Sequence, residues 1–334
     1  MASAGQNNAI TDVAGLIVGH YTDIDEVCGV TVVICPEGAV AGVDVRGSAP
    51  GTRETDLLDP VNLVERAHAI VLSGGSVFGL AASDGVVRWL AEQGYGFPLE
   101  KDQVAPIVPA AVLYDLGRGG DFVPTISGEW GRRACKAAKD GNVSSGCVGA
   151  GTGAMAGGIK GGLGTASLVL NSGITVAAMV AVNSLGSIIS TATGRPWEIG
   201  LEVDGEFGDE GKRSVRVPTL AGGSPAGSTT IGLVGTDAVL SKAQSKKIAQ
   251  MAQDGMARAI RPSHTLFDGD TLFCLATCKK VLPEEPGFFA SPQAQALNGL
   301  GHAAANCVSR AIISGVLSAR SLAGMVAFCD LEDL

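Results

Sequence analysis

Two aspartates lie two residues apart in "FDGDTLF" (267–273), at the edge of an apolar run. As an isolated motif, Asp-Gly is a turn signal whose carboxylates face solvent. If the segment is extended, Asp268 and Asp270 point the same way, and the pair could orient an amine or a hydroxyl. Two like charges this close raise the pKa of one carboxyl unless a cation sits between them. A second place is the seam in "AGGSPAGSTTIGLVGT" (221–236), where a Gly/Ser/Pro-rich run passes through Thr229 and Thr230 into an apolar segment. Thr is a strand former, so strand opening accounts for both residues. A Thr hydroxyl is also a nucleophile, but a weak one that needs an adjacent base.

Other motifs are weaker. "VGAGTGAMAGGIKGG" (148–162) runs Gly149-x-Gly151-x-Gly153, and residues 161–182 hold no Asp or Glu. A dinucleotide fingerprint needs G-x-G-x-x-G with an acidic residue about 20 positions on, and the Walker spacing is absent too. A glycine-rich nucleotide- or ligand-binding protein without hydrolase activity therefore stays the alternative reading. Otherwise these glycines let backbone amides approach a substrate, or let strands pack closely. "SGGSVFG" (73–79) follows a strand and opens a helix, but Phe78 stands where a nucleophile elbow needs Gly. Ser76 reads as a helix cap or as an anion-facing hydroxyl. His20, His68, His264 and His302 are scattered with no metal-ligand spacing and read as structural. Cys274-x-x-x-Cys278 has no His-rich partner, so no metal or cofactor is expected.

These groups need a scaffold. Strand-like runs occupy 28–35, 39–45, 68–73, 164–170, 174–182, 229–235 and 270–277. Helical patterns occupy about 77–93, 128–139 and 238–260, the last stopped by Pro262, and a final helix is expected from Ser291 and Pro292. Interleaved strands and helices indicate an α/β chain with helical layers over buried sheets. Hydrophobic residues make up 46% of the 334, enough for a large core, and 48 glycines with 4% aromatics imply close packing of small side chains. A net charge of −9 without a basic block excludes the footprint of a nucleic-acid binder. Residues 161–194 carry no charge, but Asn171-Ser172-Gly173 interrupts them and the longest run is far below a membrane span of about 20 residues. Two buried strands joined by a turn fit better. The start lacks the pattern of a secretory signal, and eight cysteines in apolar surroundings read as reduced thiols of a cytoplasmic protein. Residues 204–228 are charged, then Gly/Ser/Pro-rich, and read as an exposed, mobile loop.

Taken in order, "ITDVAGLIVGHYTD" (10–23), "GAVAGVDVRGSAPGTRETDLL" (38–58), "AIVLSGGSVFGL" (69–80), "GAGTG…KGGLGTAS" (149–167), "VAVNSLG" (180–186), "TTIGLVGTDAVLSKAQ" (229–244) and "FDGDTLF" cover nearly the whole chain. Together they resemble the self-processing family of L-aminopeptidase/D-amidases, β-peptidyl aminopeptidases and nylon-oligomer hydrolases. The resemblance implies a layered α-β-β-α sandwich like that of N-terminal nucleophile hydrolases. It also implies one catalytic domain, 1–334, cut into chains 1–228 and 229–334, and a homo-oligomer of four or more copies. The cut falls between Ser228 and Thr229, making Thr229 the nucleophile. Asn183 of the "VN" motif takes an oxyanion or positioning role, and Asp268 and Asp270 support the nucleophile. The Asp-Gly-Asp form is more like the nylon-oligomer hydrolase branch, whereas Ser228 stands where that branch carries Asn. Gly157-Gly158 stands where some members place a Tyr or Lys, so Lys160, the only nearby cation, is the remaining candidate for that auxiliary group.

On this resemblance the substrate is a small peptide, amino-acid amide or linear amide oligomer. A Thr229 α-amine with a reference pKa near 8 would be partly neutral at neutral pH and would serve as the base for its own hydroxyl. Strand alternation points Thr230 to the opposite face.

Overall fold

Nine strands form one sheet that bends back over itself, and the alternation of their side chains shows how. The computed structural model describes residues 2–217, 227–284 and 291–334. The strands of the nine-stranded sheet are β1 (Ile17–Asp23), β2 (Cys28–Val45), β3 (Gly51–Arg53), β4 (Arg66–Ser73), β5 (Ala110–Val112), β6 (Gly162–Val169), β7 (Thr175–Val182), β8 (Ile231–Ala238) and β9 (Thr271–Lys280). They hydrogen-bond in the order β6-β7-β8-β9-β2-β4-β5-β3, with β1 on β2. The first part of β2 pairs with β1 and β4, and Val40–Val45 pair with β9; a register shift between Ile34 and Ala39, around Pro36, divides the two. Proline cannot donate to a ladder, so a break there costs little.

The inner faces of both halves meet in a single core. Ile70 and Leu72 of β4 share it with Met179 and Ala181 of β7, Leu233 of β8 and Phe273 of β9. The outer faces are covered by helices α1 (Ala82–Glu92), α2 (Gly128–Lys136), α3 (Lys242–Ala259) and α4 (Ala294–Leu317). Val176, Val180, Val234 and Leu272 pack under Ile248, Met256, Val308 and Ala311 of α3 and α4. Val30, Val32 and Val71 pack under Val86, Leu90, Trp130 and Ala134 of α1 and α2. Adjacent residues such as Val180 and Ala181 therefore serve different cores, as the two-residue period of a strand requires. The result is the α-β-β-α sandwich that the family resemblance implied.

Local signals explain several boundaries. Ser241 caps α3 by accepting from Gln244 N–H, and the Gln244 side chain returns to Ser241 N–H at 2.9 Å. The helix predicted from about 238 thus begins later, because β8 runs on through Ala238. It ends at Ala259, and Ile260 is already extended ahead of Pro262. The N-cap position of α4 falls at Gln293 rather than Ser291, with no side-chain cap bond. The two runs predicted at 28–35 and 39–45 are one strand, and the strand expected from Thr229 starts at Ile231. The expected mobile loop is corrected over 204–217. Phe207 and Val215 are buried, and Arg213 is pinned by Glu210, Asp333 and the carbonyls of Cys329 and Leu331. Of its remainder, 218–226 lie outside the described residues, and Gly227 and Ser228 are half-buried. Among the described residues no helix is long and apolar enough to cross a membrane.

Glycine sets the layer spacing where α4 crosses β6. A Cβ on Gly164 would stand 2.1 Å from Ala311 O and 2.3 Å from Gly315 N, both backbone atoms that cannot swing aside. Gly164→Val should therefore lose about 1–3 kcal/mol or more of stability through overpacking, read as a lower urea midpoint. The same change at Gly173, whose Cβ would meet nothing within 4 Å, has only its positive φ of 78° to contend with and serves as the unpacked control.

Candidate active site

The C-terminal end of β7 and the N-terminal ends of β8 and β9 converge on Thr229. Its N–H donates to Asn183 O at 2.5 Å, one residue beyond β7. Its hydroxyl donates to the carbonyl of Ser228, the residue before it. The same oxygen accepts the Gly269 N–H at 3.2 Å, just ahead of β9. Ser228 and Asp268 are bridged in parallel pairing, so the seam and the Asp-Gly-Asp segment run side by side. Thr229 is 5% exposed and Thr230 fully buried, with the Thr230 hydroxyl unpaired.

The two carboxylates have separate tasks. Asp270 accepts Thr230 N–H at 2.8 Å on one oxygen, and its other oxygen takes His264 N–H at 3.1 Å and lies 2.8 Å from His264 Nδ1. Asp268 Oδ2 accepts the N–H and hydroxyl of Thr265, at 2.8 and 2.6 Å. Asp268 Oδ1 is buried with no hydrogen-bond partner. Burial, reinforced by the charge of Asp270, raises the Asp268 pKa against the opposing contributions of Thr265 and the Leu185 backbone. Among the described residues no Lys or Arg is within ion-pair distance of either aspartate.

Asn183 is fully buried and saturated. Its Nδ2 donates to Tyr114 O at 3.0 Å and to Gly227 O at 3.1 Å; its Oδ1 accepts Met155 N–H at 3.0 Å and the Arg118 guanidinium. The amide thus faces the carbonyl one residue upstream of Ser228. Arg118 also donates to Gly153 O at 3.0 Å and to Gly227 O at 2.9 Å. Burial lowers its pKa, and Asp115 opposes that shift.

Lys160 stands behind this group and has no hydrogen bond to Thr229. Its ammonium donates to the carbonyls of Gly151, Ala154 and Gly161 at 3.0, 2.9 and 2.8 Å, bracing the loop that presents Met155 N–H to Asn183. The neighbouring glycines are spent inside the protein as well. Gly149 N–H donates to Thr22, Gly157 N–H to Ser184 O and Gly161 N–H to Ala154 O. A Cβ on Gly161 would stand 2.0 Å from Val182 O, so the motif serves close packing here.

A cavity of about 450 Å³ opens in front of Thr229, lined in part by Ser76, Tyr114, Gly227, Leu266 and Phe267. Ser76 begins a short 3₁₀ turn with φ 51° and is a wall residue. Sequence reasoning missed Arg118, Tyr114 and the His264–Asp270 pair. Only His264, six residues before Asp270, carried a local signal.

The chain matches the description of Peptidase family S58 over residues 8–327. An uncharacterized aminopeptidase of Mycobacterium tuberculosis is 47% identical, over 97% of this chain and 98% of its own. A 6-aminohexanoate-oligomer endohydrolase of Agromyces sp. is 31% identical, over 85% of this chain and 79% of its own. Among solved structures, a Burkholderia sp. β-aminopeptidase superposes with a TM-score of 0.73 at 25% identity, covering 98% of this chain and 92% of that one. The L-aminopeptidase D-Ala-esterase/amidase of Ochrobactrum anthropi, described as a variant of the Ntn hydrolase fold, gives 0.72 at 24% identity over 96% and 89%.

The bracing role of Lys160 has a pH signature. Burial pulls its pKa from 10.5 down to about 8. Below the folded value the lysine is charged in both states and the burial cost is fully present. From about 8 to 10.5 the unfolded chain binds more protons, so stability rises with pH. Lys160→Met should lose about 2 kcal/mol or more at neutral pH, since it leaves buried carbonyls unpaired. The gap between the urea midpoints of wild type and variant should widen across that same window.

Proposed function

The chain belongs to peptidase family S58, and from that premise we propose that it is a self-processing amide hydrolase whose nucleophile is Thr229. The observation that carries this reading is the Thr229 hydroxyl, hydrogen-bonded to the carbonyl of its own preceding residue while Gly269 N–H holds the same oxygen. In the proposed step, Oγ1 attacks the Ser228 carbonyl carbon, the Ser228–Thr229 C–N bond breaks, and the nitrogen takes the hydroxyl proton. Water then hydrolyses the resulting ester, leaving a Ser228 carboxylate and a free Thr229 amine. The chains would be 1–228 and 229–334.

The released amine would be the base for later turnovers, since its reference pKa near 8 leaves a useful neutral fraction at neutral pH. Asn183 O would keep it in place, because it already accepts Thr229 N–H. Asp268 would steady the charged form: its Oδ1 is the buried, unpaired acceptor on the segment bridged to Ser228. A new cation there relieves the repulsion from Asp270 that helps raise the Asp268 pKa. Asp270 would act one residue away, fixing the backbone at Thr230. Asn183 would position the segment upstream of the cut, and Lys160 would support it from behind. Substrates would be small peptides, amino-acid amides or linear amide oligomers, the chemistry named for the relatives. The homo-oligomer and the cytoplasmic setting remain part of this reading.

Intact mass and denaturing electrophoresis of purified wild type should give two fragments, the smaller starting at Thr229. Thr229→Ala should remain one chain and lose amidase activity. A wild-type protein that stays whole yet hydrolyses amides would rule the nucleophile out.

A further inference from the structure

Resting on the Thr229 reading, we propose that Arg118 and Asn183 form a clamp for the carbonyl one residue upstream of the scissile amide. The clamp selects substrates whose acyl part continues through a further amide, in preference to those ending in a free amine. The uncut chain is its own first substrate, and the atoms that would be acylated in later turnovers are the ones already in place. The ester formed at Thr229 Oγ1 in self-cleavage carries Ser228 and, beyond it, Gly227. An external substrate forms the same ester with its own carbonyl carbon, so its upstream carbonyl falls where Gly227 O lies.

That oxygen receives Arg118 Nη2 at 2.9 Å and Asn183 Nδ2 at 3.1 Å. The donors are held rigidly. Arg118 Nη1 is tied to Gly153 O and to Asn183 Oδ1, and Asn183 is fixed again by Tyr114 O and Met155 N–H. The segment lies close against the wall: Gly227 has φ 113°, and a Cβ there would stand 2.6 Å from the Tyr114 ring. A guanidinium fork suits a carbonyl oxygen and repels an ammonium. An aminopeptidase substrate would bring its ammonium to the position of Ser228 N, bonded directly to the clamped carbonyl's carbon. Anchoring that ammonium would call for an acidic wall, and among the described residues none that lines the cavity is acidic. Asp270 is committed to Thr230 and His264. The free Oδ1 of Asp268 is the one assigned to the Thr229 amine. Asp115 gives one oxygen to Gly75 N–H at 2.6 Å, and its charge acts on Arg118.

The test compares L-alanine p-nitroanilide with N-acetyl-L-alanine p-nitroanilide, which differ by the one carbonyl the clamp would hold. Each protein is first checked by intact mass for cleavage before Thr229. Wild type should hydrolyse the acetylated compound with at least tenfold higher kcat/KM. Arg118→Gln should erase that preference mainly through a raised KM for the acetylated compound, and should slow self-cleavage. Arg118→Lys, which keeps the charge and loses the fork, should fall between the two. If Arg118→Gln does not fold, the wild-type preference alone decides. A processed wild type that favours the free amine overturns the clamp and leaves Thr229 as nucleophile. So does an Arg118→Gln enzyme that weakens both compounds equally. A wild type that is never processed removes both readings together.

Discussion

Thr229 is gripped by groups that arrive from distant parts of the chain: Asn183 O at the end of β7 takes its N–H, and Gly269 N–H ahead of β9 reaches its hydroxyl. One residue upstream, Gly227 O is fixed by Asn183 and Arg118. A peptide bond clamped on both sides has lost most of its conformational freedom. The entropy of bringing the Thr229 hydroxyl and the Ser228 carbonyl together was therefore spent during folding. The bent sheet, the braced glycine loop and the long strand β2 all serve to bring these strand ends to one point.

Most buried polar groups in a folded protein find partners, so the exceptions carry information. Here the hydroxyl of Thr230, Oδ1 of Asp268 and Nε2 of His264 are buried and unpaired in one neighbourhood. Unpaired buried groups cost free energy, and a seam that concentrates them is poised to gain from a change in its charge. Lys160 is the contrasting case. It is equally buried but bonded to three carbonyls of the loop it braces.

Small side chains make this geometry accessible. Gly47 lies where a Cβ would be 2.2 Å from Asp270 N and 2.4 Å from Asp268 O, so the loop after β2 can wrap the Asp-Gly-Asp backbone. Its neighbours bond that backbone directly: Arg46 N–H donates to Asp270 O at 3.0 Å and Ala49 N–H to Asp268 O at 2.9 Å. The same compactness brings α4 against β6 at Gly164. The low aromatic content seen in composition thus has its counterpart in helices and loops that approach backbone to backbone.

An α/β chain with helical layers over buried sheets was legible in the residues because it follows from period-two and helical patterns, each a property of a short window, while the α-β-β-α order came from the resemblance. Thr229, Asn183, Asp268 and Asp270 were legible as a set through motif resemblance, although nothing local distinguished Thr229 from a strand opener. The functions of individual atoms were not legible. Asp268 and Asp270 share a type and a motif, yet one keeps a free oxygen and the other is spent on Thr230 and His264. Lys160 looked like an auxiliary group by proximity in sequence, and its carbonyl cage appears only when the loop closes. Arg118 lies 65 residues from Asn183 and 109 from Gly227. Contacts across such separations depend on which strand ends the sheet topology brings together. The sequence by itself determined which residues face a core and where the seam lies. Only the tertiary structure decided which of them touch, because that is set by the packing of whole layers.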